Sequence, residues 1–147
     1  MEKEIKIAII GLGQIGIYLY NELNLKKKEI ETKTGKKIRI VAISAKNKNK
    51  KRKFKINKKI FFSNPLKILK SKKIDILFEC IGQSDGVSKK VVEIALKNKI
   101  NVITGKGLRS KNLNDPYQSS NLSILKYSVP SFIKNNDQLM SKIISID

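Results

Sequence analysis

A chain of 147 residues has room for one compact domain, which at this size buries roughly 70% of the surface its unfolded form exposes. Its single cysteine, Cys80, excludes an internal disulfide. The absence of histidine excludes the usual zinc and haem ligand sets and the commonest general base, leaving metal-free chemistry borne by lysine, carboxylate or tyrosine. The formal charge of +20 is concentrated, because residues 32–74 hold fifteen lysines, two arginines and no acid; lysine beside abundant isoleucine and asparagine is what A+T-rich coding produces, so no nucleic-acid partner is expected from composition.

Residues 5–10, apolar except for Lys6, form a short run ending at Gly11, the pattern of a strand buried on both faces of a parallel sheet. Beyond Gly16, the apolar residues Ile17, Leu19, Tyr20, Leu23 and Leu25 set a helical stripe that fades into Lys26, Lys27 and Lys28. Residues 29–37 read as a polar connection punctuated by Gly35, and residues 38–44, spelled IRIVAIS, as a second strand that completes a βαβ unit. The lysine and asparagine tract at 46–59 is too polar to bury and longer than most connections, which predicts a mobile surface loop.

Phe61 and Phe62 precede Ser63-Asn64-Pro65, a helix start with proline in the first turn, after which Leu66 and Leu69 are placed to pack on the sheet. Residues 74–81 are the next buried strand. Ser84 or Asp85 caps a helix carrying Val87, Val91, Ile94, Ala95 and Leu96, and residues 100–104 form a fourth strand. The alternation predicts an α/β fold, a Rossmann-like doubly wound parallel sheet in three α/β/α layers. Past Gly105 the chain is rich in Asn, Ser, Gly and Pro to about residue 120, with a faint strand at 122–129 and a faint helix at 131–144. The expected division is a dinucleotide-binding domain at 1–108 and a divergent tail at 109–147.

Gly11-Leu12-Gly13-Gln14-Ile15-Gly16 is a GxGxxG turn between strand and helix. In that setting Gly11 permits the tight turn, Gly13 lets the backbone approach a pyrophosphate, and Gly16 lets helix and strand pack closely, while the first-turn N–H groups, including those of Gln14 and Ile15, face the diphosphate. At the end of the second strand a carboxylate would accept from the 2′-OH of NAD. Here stand Ser44, Ala45 and Lys46, with no Asp or Glu between Glu31 and Asp75. That favours NADP and leaves NAD as the alternative cofactor.

Two further segments carry a specific likeness. Glu79-Cys80-Ile81-Gly82 ends one strand, and Val102-Ile103-Thr104 ends the next, followed by Gly105-Lys106-Gly107-Leu108. With the glycine turn and the Ser44-Ala45-Lys46 segment, they make residues 3–108 resemble the homoserine dehydrogenase family, which pairs Glu-x-x-Gly with a later V-[IV]-T-A-N-K-A-L motif. The resemblance implies cofactor contacts at Glu79, Gly82 and Thr104. With one gap before Gly105, it puts Lys106 on the family's active-site lysine, although Gly105 then replaces an asparagine. It further implies NADP-dependent interconversion of homoserine and aspartate semialdehyde, in amino-acid biosynthesis leading to threonine and methionine.

Residues 109–147 match nothing in that family, whose substrate and dimerisation domain would follow. A truncated, cofactor-binding chain without independent catalysis is therefore expected, taking an amino-acid substrate only if a substrate domain is supplied, with a homodimer allowed. Two other readings remain: a nucleotide-binding module without chemistry, and a polyanion-binding protein using residues 46–59. No apolar stretch approaches the roughly 20 residues of a membrane span, and the early apolar run is too short for a signal peptide. A cytoplasmic protein without a membrane partner is expected.

Overall fold

A computed structural model describes residues 3–81 and 86–104. It contains the strands β1 (Glu4–Ile10), β2 (Lys37–Ser44), β3 (Phe61–Phe62), β4 (Ile76–Glu79) and β5 (Asn101–Thr104), with the helices α1 (Gln14–Leu25), α2 (Lys27–Thr34), α3 (Pro65–Ser71) and α4 (Gly86–Lys97). All strands run parallel in the order β3-β2-β1-β4-β5. This is a Rossmann sheet. The strand order reverses at β1, beside which open α/β sheets bind ligands at their carboxyl edge.

Both faces of the sheet are covered because the strands are apolar on both. Ile5, Ile7 and Ile9 of β1, with Ile76 and Phe78 of β4, pack beneath Ile17, Leu19, Tyr20 and Leu23 of α1 and Ile30 of α2. Ala8, Ile10 and Leu77 point the other way, against Ile68 of α3 and Val91, Val92 and Ala95 of α4. Ile5, Ile7 and Ile9 are wholly buried, each side chain contributing about 1.5–3 kcal/mol on burial. In β2 the register slips between Ile7↔Ile40 and Ala8↔Ala42. Val41 is the extra residue, and it packs on the same face as Ala42. The bulge keeps Ile38 and Ile43 on the α1 face and brings Ser44 opposite Ile10.

Leu25, placed by the sequence on the α1 stripe, is 71% exposed at the helix end, and the structure departs from the sequence expectation in four further places. Residues 29–37 are not merely a connection, since α2 occupies most of them. Lys27–Glu31 and Lys33–Glu29 pair at i,i+4, at 3.1 and 2.8 Å, Ile30 is buried, and Gly35 ends the helix with φ 68°. A fifth strand, β3, is formed by Phe61 and Phe62, too short to show periodicity. In α4 the buried stripe is Ser88, Val91, Val92 and Ala95, while Val87 and Leu96 are exposed; the 88/91/92/95 spacing is one helical face.

The fourth departure is the tract at 46–59. It serves as the β2-to-β3 crossover, and Phe54 and Ile56, followed by Ile60, pack on the α1-face core. The Asn57 N–H donates to the Tyr20 hydroxyl at 3.0 Å. As expected, Asn64 caps α3 by accepting from the Leu66 N–H, with Pro65 in the first turn. The expected Ser84 or Asp85 cap and everything anticipated beyond residue 104 lie outside the described residues. No helix among the described residues is long and apolar enough to cross a membrane.

Candidate functional site

The carboxyl ends of the strands come into register as one row. Ile10 pairs with Ser44 on one side and with Glu79 on the other, Ser44 continues to Phe62, and Glu79 to Thr104. Ser44, Glu79 and Thr104, singled out from separate parts of the sequence, thus stand along a single edge. The chain leaves that row at Ile10 and turns at once into α1.

Two of the three turn glycines are demanded by the protein itself. Gly11 has φ +93°, its N–H donates to the Ser44 carbonyl at 2.8 Å, and a Cβ there would lie 2.7 Å from the Cys80 carbonyl carbon and the Ile81 nitrogen. A Cβ on Gly16 would fall 1.7 Å from the Gly11 carbonyl oxygen. Gly13 differs: its φ is −73° and a Cβ would meet nothing within 4 Å. Neither backbone strain nor packing requires glycine at that position. Glycine there leaves the backbone bare for a ligand to approach.

Gly13 is the N-cap of α1 and offers no side chain to it, and the first turn holds no acid. The first intrahelical bond runs from the Ile17 N–H to the Gly13 carbonyl at 3.0 Å. The N–H groups from Gly13 to Gly16 therefore precede the hydrogen-bond ladder, at the positive end of the helix dipole. Gly13 and Gln14 are exposed, while Ile15 is half-buried against the core. The donor set suits the two phosphates of a dinucleotide.

At the end of β2, Ser44 is buried, Ala45 packs partly on the core, and Lys46 is exposed. The strand end itself carries no carboxylate. At the end of β4, Glu79 is only 1% exposed, and its Oε1 accepts from the Ile81 N–H at 2.7 Å. Its carboxylate therefore fixes the turn that leaves the strand. Cys80 packs partly buried against the core, and burial, helped by the Glu79 charge, pushes its thiol well above its ordinary value, which disfavours the thiolate a nucleophile needs. Gly82 and Lys106 lie outside the described residues.

Sequence reasoning missed Arg52, which organises the β2-to-β3 crossover. Its guanidinium donates to the carbonyls of Asn47, Lys48 and Lys50 at 2.6, 3.4 and 3.0 Å. The available hint was a lone guanidinium among lysines, since only arginine offers a planar fork to several acceptors at once.

A family model described as an oxidoreductase family with an NAD-binding Rossmann fold matches residues 5–115. Among solved structures, S. aureus homoserine dehydrogenase at pH 7.5 superposes with a TM-score of 0.66 at 30% identity, over 71% of this chain and 27% of that one. Homoserine dehydrogenase from Thiobacillus denitrificans superposes with a TM-score of 0.61 at 25% identity, over 73% of this chain and 24% of that one. The chain thus spans 24–27% of the length of these enzymes. A comparison with curated protein sequences finds no match.

Proposed function

Because the chain belongs to the oxidoreductase family with an NAD-binding Rossmann fold, we propose that it is the cofactor-binding part of a homoserine-dehydrogenase-type enzyme that prefers NADP(H). The observation that carries this reading is Gly13, a glycine that neither a positive φ nor a packing clash demands, at a helix start without a side-chain cap beside the row of strand ends. In this proposal the N–H groups of Gly13, Gln14 and Ile15 hold the pyrophosphate, while Gly11 and Gly16 keep the turn tight enough to present them. Ser44, Ala45 and Lys46 flank the adenosine ribose, where the Lys46 ammonium complements a 2′-phosphate and no carboxylate competes for the 2′-OH. Glu79 fixes the turn toward Gly82 that borders the nicotinamide ribose, and Thr104 leads the chain toward Lys106.

The nicotinamide ring, when bound, supplies or accepts the hydride. Lys106 holds or moves the proton at the reacting oxygen of homoserine or aspartate semialdehyde, a role that needs a lysine whose pKa is pulled toward neutrality. Domain limits of 1–108 and 109–147, a cytoplasmic setting and a homodimer belong to the same proposal. Since this chain aligns with only 24–27% of the similar enzymes, the chain alone is expected to bind cofactor without oxidising homoserine.

The cofactor preference is tested with Lys46→Glu, which removes the cation and supplies the missing acid. NADPH affinity should fall about tenfold or more, roughly 1.4 kcal/mol, while NADH affinity holds or rises. An unchanged ratio of the two affinities would contradict the role given to this strand end.

A further inference from the structure

The crossover at 46–59 folds into an open cleft of about 610 Å³, and Lys48, Lys50, Lys55, Lys58, Lys59 and Arg52 are among the residues that line it. No acid lines the cleft, and none occurs anywhere between residues 32 and 74. Composition alone left this charge to coding bias, but coding bias does not account for lysines gathered around a concavity. The wall is built rather than loose. Arg52 gathers three carbonyls of residues 47–50, the Asn49 N–H donates to the Asn47 side chain at 2.9 Å, Lys58 donates to Asn49 at 3.3 Å, and Phe54 and Ile56 anchor the segment to the core.

We propose that this cleft binds a single strand of nucleic acid through its phosphates, as a second site distinct from the dinucleotide turn. A compact phosphate is best gripped by rigid converging donors, and the one rigid fork here, Arg52, is committed to its own loop. What remains are ammonium groups spread along the cleft, an arrangement suited to charges spaced along a strand. A concave surface also fits a strand better than it fits a membrane. Phe54 is half-buried beneath the Lys53 ammonium, 5.4 Å from its ring centre, so recognition runs through the backbone of the strand rather than by base stacking and is indifferent to base sequence.

The test is fluorescence anisotropy of the full chain with a labelled oligouridylate and a labelled oligothymidylate. Five phosphate contacts give a slope of about −3.5 for log K against log salt, or roughly a hundredfold loss between about 50 and 200 mM salt. Changing Lys48, Lys50, Lys55, Lys58 and Lys59 together to Gln should flatten that slope to near zero. The charge-matched change of Lys28, Lys67, Lys72, Lys73 and Lys90 to Gln should leave most of the slope intact. Arg52→Lys, which keeps the charge and loses the fork, should weaken binding about tenfold, and Gly13→Trp should not alter it.

Equal losses from the two five-lysine variants would mean diffuse attraction by net charge and would overturn the proposal, as would full affinity in Arg52→Lys or tighter binding to phosphatidylserine vesicles than to either strand. Because Gly13→Trp is expected to abolish NADPH binding alone, failure of this site and failure of the dinucleotide reading give different results.

Discussion

At Gly11 and Gly16 the protein's own backbone occupies the space a side chain would need, 2.7 Å away in one case and 1.7 Å in the other. Gly11→Ala adds a left-handed backbone penalty to that clash and should cost on the order of 2–3 kcal/mol. Gly16→Ala forces α1 away from the turn and should cost about 1–3 kcal/mol. Gly13→Ala should change stability by less than about 1 kcal/mol, the entropy gained through the unfolded chain offsetting the poorer N-cap, while weakening the dinucleotide. Thermal unfolding with and without NADPH separates the three. A Gly13→Ala variant as unstable as the other two would show that the fold, and not a ligand, requires that glycine. The sequence reading already gave the three glycines different tasks, tight turn, ligand approach and close packing. The positions of Cys80, Ile81 and the Gly11 carbonyl supply the contacts behind the first and the third.

Among the elements, the Glu31 carboxylate ties α2 to β2. Glu31 accepts from the Ile38 N–H at 2.9 Å and pairs with Lys27, whose ammonium also donates to the Ile38 carbonyl. The Ile38 N–H, with smaller help from Lys27 and Lys37 and against the opposing pull of burial, holds the Glu31 pKa below its ordinary value. A depressed carboxylate contributes stability that is present above its unfolded-state pKa and is lost as pH falls through the folded-state pKa. Glu31→Gln should therefore lower stability at neutral pH, and the gap from the unaltered chain should close as pH falls below the normal carboxylate range. A gap that persists in acid would mean that the carboxylate's charge is not what holds the junction.

This helix was hidden in the sequence because its supports are charged pairs and one buried isoleucine, a composition that reads equally well as a linker. β3 was hidden by its length. The strands β1, β2, β4 and β5 were legible because each carries a short run rich in isoleucine, valine, leucine or phenylalanine, and two-sided burial leaves little else such a run can form.

On the scale of the whole molecule, the division of labour follows from sheet order. Placing β1 centrally, with β2 on one side and β4 on the other, brings Ser44, Glu79 and Thr104 into one row beside the uncapped start of α1. That row was legible as separate strand ends, although its alignment depends on the Val41 bulge, which no periodicity announces. The basic crossover lies in the same connection that leaves Ser44, so cofactor and strand binding are readily confused in a protein of charge +20, and salt is the variable that parts them.

The most direct measurement is therefore a fluorescence titration of the purified chain with NADPH and NADH at moderate and high salt, with Gly13→Trp in parallel. Saturable binding that is tighter for NADPH, persists at high salt and disappears in Gly13→Trp is the result expected of a dinucleotide held at the glycine turn. Binding that survives the tryptophan and is erased by salt would contradict that account and assign the affinity to the lysine tract.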